Sequence, residues 1–494
     1  MNNRIFSFLK QRLNALSMVL LLSASITGYF SNGCSTNVAT GERHFNLISE
    51  SQEIQIGKES DQQVMAAYGN YDNQQVQNYV QTLGKSIAAL SERPNLPWSF
   101  KVIDDPMVNA FALPGGFIYV TRGILTHMTN EAELVGVIGH EIGHVTAKHS
   151  VYSMSKQELA QVGLGIASIL EPQLAQQYGQ LASAGLQLLF LKFSRDDERQ
   201  ADQLGIRYME RMKDDPHYMI NVMQTLDKIS QSSGSTGKIP VWLSTHPDPG
   251  NRIALIKEHI DTSKTPLTKS AGNPEFVSIL DGMTFGENPR EGFFRGTAFY
   301  HPDMKFTFTF PSGWQTMNTK QAVMGVSPNQ DAMIQIMIAQ GNNAQTAAQQ
   351  FFGQQGMSST GVSQVNVHGN PGVMGNFSAQ TQQGVLTGTS AFINYNNQVF
   401  QILSYGTQAA WGGYQSVVVN SINTFNKLED PAILNVQPNK IKVVTITNNI
   451  TIEQFNQQYP SVVPLETIAL INGVDKGATL IKGQKVKQVV GQKL

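Results

Sequence analysis

Residues 139–145 read Gly139-His140-Glu141-Ile142-Gly143-His144-Val145. They close an apolar run, 134–145, that begins just after Asn130 and Glu133, a pair with the spacing of a capping box. On a helix, histidines four positions apart stand about 40° apart around the axis, so both rings can reach one ion. Glu141 lies beside them, where a carboxylate can reach water at that ion. Two hydrogen-bonded core histidines would not need this acid between them. The pattern predicts a metal-binding helix, with His140 and His144 as ligands for zinc.

A catalytic zinc site takes three protein ligands and keeps a fourth position for water or substrate. His149 is near in sequence but lies about 180° from His140 on a continuing helix. The compact His-x-x-Gly-x-x-His extension is absent, because Ala147 and Ser150 stand where Gly and His are required. The third ligand must therefore come from another helix. Glu198 is the best candidate, in Ser194-Arg195-Asp196-Asp197-Glu198-Arg199-Gln200-Ala201-Asp202, with Asp196 and Asp197 as competitors. Asp202 follows one turn later on the same face, placed to accept the outer N–H of a ligating histidine. The chain has one cysteine, which excludes a cysteine-ligated zinc site and a disulfide framework.

Upstream, residues 98–103, 108–113 and 117–121 read as strands, with Pro114-Gly115-Gly116 as the turn between the last two. Pro114 marks the middle strand as an edge. Val76, Val80, Leu83, Ile87 and Leu90 recur at helical spacing. Downstream, His246 lies in Ser244-Thr245-His246-Pro247-Asp248-Pro249-Gly250-Asn251-Arg252, a loop stiffened by two prolines. The apolar, Gly/Ala-rich stretches 159–170 and 181–193 are each shorter than a membrane span and read as buried helices.

These motifs have a precedent. Asn109-Ala110-Phe111-Ala112-Leu113-Pro114-Gly115-Gly116, the His140-Glu141-Ile142-Gly143-His144 helix, and Glu198 with Ala201-Asp202 resemble the zinc endopeptidase family that includes HtpX and the prenyl-protein CAAX proteases. Thr40-Gly41-Glu42-Arg43 and Leu47-Ile48-Ser49 are similar to the opening of its soluble periplasmic branch. The resemblance covers residues 40–260 and implies a mainly α zincin-type metalloprotease domain with a small sheet. It implies one zinc per chain on His140, His144 and Glu198, with Glu141 as catalytic base. Asn109, Ala110, Phe111 and Ala112 become a substrate-binding edge strand for extended backbone, which suits unfolded or misassembled envelope proteins. His246 is expected to face the metal, as an oxyanion donor or as a latch on the fourth position, and Arg252 is expected in a structural pairing.

The 494 residues suffice for two to four domains. With 41% apolar and 9% aromatic residues the composition is globular, and a formal net charge of −1 argues against a nucleic-acid partner. Arg4, Lys10 and Arg12 precede an apolar run, 16–26, too short for a confident span. With Ser31-Asn32-Gly33-Cys34 the segment resembles a bacterial lipoprotein signal, although Ser31 stands where leucine is usual. The expectation is a signal over 1–33 and a lipidated Cys34 holding the protein at a membrane of the periplasm, the outer one in preference.

A linker is expected over 261–274. Residues 275–428 form a low-charge α+β domain. Between 306 and 426 the only charged residues are Lys320 and Asp331, and Phe306, Phe308 and Phe310 alternate with threonines as in a half-buried strand. Phe310-Pro311-Ser312-Gly313-Trp314 resembles PsbP-like domains. Residues 439–491 resemble a LysM-type β-α-α-β module in Val443-Val444-Thr445-Ile446, Leu470-Ile471-Asn472-Gly473 and Leu480-Ile481-Lys482-Gly483, although Asn448-Asn449 replace the usual Gly-Asp. That resemblance implies peptidoglycan as a partner. The expected function is proteolysis of envelope proteins. The alternative is an assembly or chaperone-like lipoprotein with a latent protease domain and a cell-wall-binding tail.

Overall fold

The structure, a computed structural model of the chain, describes residues 34–159, 193–233, 245–246, 249–262, 270–381 and 384–492. The signal segment 1–33, residues 160–170 and 181–192 of the two apolar stretches, and half of the linker 261–274 lie outside the described residues. No helix among the described residues is long and apolar enough to cross a membrane.

The described residues open with an antiparallel hairpin, β1 (Cys34–Thr36) and β2 (Arg43–Phe45). Helix α1 (Glu50–Tyr68) starts in a capping box between Ser49 and Gln52. Helix α2 (Gln74–Ala88) buries Val76, Val80, Leu83 and Ile87, the stripe seen in the sequence. Strands β3 (Ser99–Ile103), β4 (Ala110–Leu113) and β5 (Phe117–Thr121) form a sheet of order β3-β5-β4, which leaves β4 at an edge. Strand β4 runs antiparallel to β5 through a turn whose Gly115 and Gly116 have φ of 79° and 97°, the left-handed region that glycine tolerates.

After α3 (Arg122–His127) comes the motif helix, α4 (Glu131–Thr146), in which residues 132–146 are all buried. Asn130 caps it by accepting from Glu133 N, but the Glu133 carboxylate turns back to Thr129 N and Oγ1 and does not complete the expected box. Helices α5 (His149–Leu159), α6 (Arg195–Met212) and α7 (His217–Ser233) pack against it, and α8 (Pro249–Thr262) packs on α6 and α7.

The α4–α6 contact sets the site. A Cβ on Gly143 would stand 3.0 Å from Ala201 O, and one on Gly205 would stand 3.1 Å from His140 N. Small residues at 139, 143, 201 and 205 thus let the two helix backbones approach directly.

The segment 276–283, expected with the middle domain, packs into the first core instead: short helix α9 (Phe276–Ile279), Leu280 and Met283 join it. The middle domain is antiparallel. Strands β6 (Phe293–Arg295), β7 (Ala298–His301) and β8 (Phe306–Thr309) form one sheet with β16 (Asn426–Lys427). Strands β9 (Gln315–Asn318), β10 (Ala322–Val326) and β11 (Ala332–Ile338) join β12 (Met357–Val367), β13 (Asn370–Thr381), β14 (Gly384–Tyr395) and β15 (Gln398–Thr407) in a seven-stranded sheet. Helices α10 (Ala344–Phe352) and α11 (Gln408–Ile422) cover it. Phe306 and Phe308 are buried and Thr307 and Thr309 half-buried, so the alternation reports one core-facing side.

After α12 (Pro431–Leu434), the last module runs β17 (Lys440–Thr445), β18 (Ile450–Thr451), α13 (Ile452–Gln458), α14 (Leu465–Ile471), β19 (Thr479–Leu480) and β20 (Lys485–Val490). Strands β17 and β20 pair antiparallel, as do β18 and β19. The module shares one hydrophobic core with the helical domain.

Candidate metal centre

Helix α4 delivers His140 and His144 from adjacent turns, and α6 delivers Glu198 from its first turn. Ser194 caps α6 and takes Asp197 into a capping box, while Asp196 pairs with Arg199. Two of the three consecutive acids are thereby engaged at the surface, and Glu198 alone turns inward to full burial. His246 enters from the loop before α8.

His140 Nε2 lies 3.0 Å from His144 Nε2 and 3.3 Å from His246 Nδ1. Glu198 Oε1 lies 2.9 Å from His246 Nδ1 and 3.5 Å from His144 Nε2. Donors held about 2.0–2.1 Å from one tetrahedral ion stand about 3.3 Å apart. The four donor atoms of His140, His144, Glu198 and His246 all lie within 4.8 Å of one another, and all four residues are buried. Three nitrogens and one carboxylate oxygen are a donor set that suits zinc.

The surroundings support that set. Asp202 Oδ1 accepts from His140 Nδ1 at 3.0 Å, which points Nε2 into the cluster. Arg252 grips Asp202 through Nε at 2.8 Å and Nη2 at 2.6 Å, and its Nη1 reaches Glu198 Oε2 at 2.8 Å. Burial works to raise both carboxyls, but His246 and Arg252 beside Glu198, and Arg252 beside Asp202, hold them below the usual carboxylate range. Burial and the neighbouring rings push His144 well down, toward the neutral form that can ligate. Glu141 is driven up by burial. Its Oε1 has no hydrogen-bond partner among the described residues and lies 3.8 Å from His246 Nε2, so it borders the cluster without joining it.

The edge strand β4 packs against α4. It carries Ala110, Phe111 and Ala112, with Asn109 just before it. Asn109 Oδ1 is buried without a hydrogen-bond partner among the described residues. Arg93 ties this corner together: it pairs with Glu53 at 2.9 Å and donates to Val145 O at the end of α4, while Glu53 Oε1 accepts from Gly115 N.

Two site residues were missed from the sequence. Helix α4 stops at Thr146, Lys148 takes a left-handed φ of 58°, and a new helix starts at His149. The angle expected on an unbroken helix does not apply, and His149 lies with its ring against His144, not as a ligand but 2.9 Å from its outer nitrogen. Phe193, just before α6, covers His144 at 4.1 Å between ring centroids. Neither carries a motif; only the backbone break reveals the first.

The model of Peptidase family M48 matches residues 74–260. Beta-barrel assembly-enhancing protease of Yersinia pestis is 29% identical over 240 residues, covering 47% of this chain and 49% of that protein. Mitochondrial metalloendopeptidase OMA1 of Schizosaccharomyces pombe is 33% identical over 226 residues, covering 44% of this chain and 64% of that protein. The chain spans about half the length of the beta-barrel assembly-enhancing proteases of Yersinia pestis and Escherichia coli. Among solved structures, cyanobacterial PsbP from Synechocystis sp. PCC 6803 covers 26% of this chain and 91% of that one, at 11% identity and a TM-score of 0.23, which decides nothing about the middle domain. All four donors, Glu141 and the helices α4 and α6 fall inside 74–260, the stretch that matches Peptidase family M48.

Proposed function

We propose that the protein is a zinc endopeptidase acting on unfolded or misassembled cell-envelope polypeptides, held below full activity by His246. The observation that carries this reading is the buried cluster of four donors with Glu141 at its border. Zinc held by these donors would supply Lewis acidity toward a scissile carbonyl and acidify a water beside it. Glu141, at the border of the cluster, is placed to take a proton from water at that ion and to return it to the leaving amine. Among the described residues strand β4 is an edge of its sheet, which suits extended substrate backbone, and Asn109 stands at its start.

His246 has two candidate roles of opposite sign. Its Nδ1 stands among the ligand atoms, which favours the latch: a fourth protein donor takes the place that water needs. Cys34 as a lipid anchor and 439–491 as a contact to peptidoglycan complete the reading, supported by the signal-like segment and by the two helices that lie between the paired strands β17 and β20 in the last module. The test is degradation of unfolded casein by the zinc-loaded protein. Glu141→Gln is expected to keep zinc and lose turnover, and His246→Ala to raise turnover. A loss on the order of a hundredfold in His246→Ala would make it an oxyanion donor. Casein left intact by both wild type and His246→Ala would leave the assembly-factor alternative.

A further inference from the structure

The two ligating histidines of α4 are served differently at their outer nitrogens. His140 Nδ1 meets a carboxylate, Asp202 Oδ1, at 3.0 Å. His144 Nδ1 meets another imidazole, Nδ1 of His149, at 2.9 Å. We propose that His149 is a positioning residue that holds His144 in its ligating tautomer, and that a one-way chain of hydrogen bonds runs from this ligand through Gln200 to Glu42 of the N-terminal hairpin. The inference rests on the zinc reading above.

The chain follows from where each proton must sit. His144 turns Nε2 toward the other donors, so as a ligand its proton is on Nδ1. That N–H needs an acceptor, and His149 Nδ1 supplies it. His149 then carries its own proton on Nε2, which faces Gln200 Oε1 at 3.2 Å, with Asp197 Oδ1 at 3.7 Å beyond. With its oxygen engaged, the Gln200 amide donates through Nε2 to Glu42 Oε2 at 2.9 Å. Each group receives on one side and gives on the other, and the series ends on a carboxylate. Rings merely packed together would not need the Gln200 amide to face a donor on one side and an acceptor on the other.

The terminal carboxylate belongs to a hairpin seated on the helix break. Asn37 Nδ2 donates to Thr146 O at 3.3 Å and to Tyr152 Oη at 3.2 Å, one on each side of the Ala147–Lys148 turn. His44 stacks on Tyr152 at 4.3 Å between centroids and lies 3.2 Å from Glu42 Oε2. The carboxylate that usually touches a ligating histidine directly is here two groups away, on the segment that begins at Cys34. Seating of that hairpin therefore bears on the set of His144.

The test uses the full chain and two readouts: zinc affinity by chelator competition, and the visible absorption of the cobalt(II)-loaded protein. Loss of such an outer partner costs about 10–100-fold in metal affinity or activity. His149→Leu is expected to weaken zinc by that range and to shift the cobalt bands. His149→Asn, whose Oδ1 can accept from His144, is expected to recover most of the affinity and the wild-type spectrum. Gln200→Leu is expected to weaken zinc severalfold. Wild-type affinity and spectrum in His149→Leu would overturn the inference, as would an Asn variant no better than Leu. If His149→Leu does not fold, Gln200→Leu decides: unchanged affinity and spectrum there would break the chain. Failure of the wild type itself to hold zinc would instead remove the zinc reading.

Discussion

Arg252 holds two carboxylates at once. It is buried, bidentate on Asp202, and paired with Glu198, so it fixes one of the four clustered donors directly and a second, His140, through Asp202. A methionine of similar length would keep much of the packing but leave two acids buried without their cation. Removing one member of a buried ion pair costs about 3–5 kcal/mol. Arg252→Met is expected to lose that much stability in the zinc-free protein, read from urea unfolding, and to lose more when zinc is present, because zinc stabilises only the folded state and does so less when its affinity falls. An equal loss with and without zinc would detach Arg252 from the metal site. At this scale the sequence was readable where chemistry is local: His140, Glu141 and His144 share one turn and a bit of one helix. Glu198 among three acids is a question of helix phase. Ala201, Leu204, Gly205 and Tyr208 are buried along the same helix and mark the inward side, so the apolar pattern carried the signal. His149 was not readable, because its placement depends on a break at Lys148 that no glycine or proline announces.

Helices α4 and α6 meet through small residues, and this contact decides whether ligands from the two helices reach one point. A valine at 205 would place a branched side chain where even Cβ lies 2.9 Å from Met219 Cε, 3.1 Å from His140 N and 3.4 Å from Gly139 C. Met219 can yield; backbone cannot. Overpacking of this kind costs about 1–3 kcal/mol. Gly205→Val is expected to lose that stability and also to weaken zinc, because relief comes by moving α6, and Glu198 with it, away from the histidines. Melting of the zinc-free protein and chelator competition check the two effects separately. Weakened stability with unchanged zinc affinity would show that the relief is taken up on the Met219 side. The strands and the capped start of α4 could be read from turn residues and alternation, since those depend on neighbours in sequence. The close helix contact could not, because glycines within a helix look like weak points until the partner helix is known.

Across the whole molecule, residues 439–492 are less a tail than a wall of the helical domain. Gly282 N donates to Ile441 O and Ile441 N to Met283 O, each at 2.8 Å, so the segment after α9 runs along β17. Ile441, Ile452, Phe455, Ile468, Val486 and Val489 are buried in the core that also holds Leu134, Ile138 and Ile142 of α4. Composition alone divides the chain into modules here, because it reports what each segment is made of and not which apolar faces meet. Lys487 makes the dependence specific. It is buried, and its Nζ donates to Thr126 O at 2.9 Å and Met128 O at 2.6 Å, carbonyls at the end of α3. Methionine at 487 would fill a similar volume and leave those carbonyls without that donor, at about 1–3 kcal/mol for each buried acceptor left unsatisfied. A chain ending at 438 would lose those bonds and also expose the apolar side of the helical domain. The expected order of urea midpoints is therefore wild type, then Lys487→Met, then the truncated chain, with casein cleavage declining in the same order at moderate urea. A truncated chain that unfolds at the wild-type midpoint would instead make the module a tether, free to serve a separate partner.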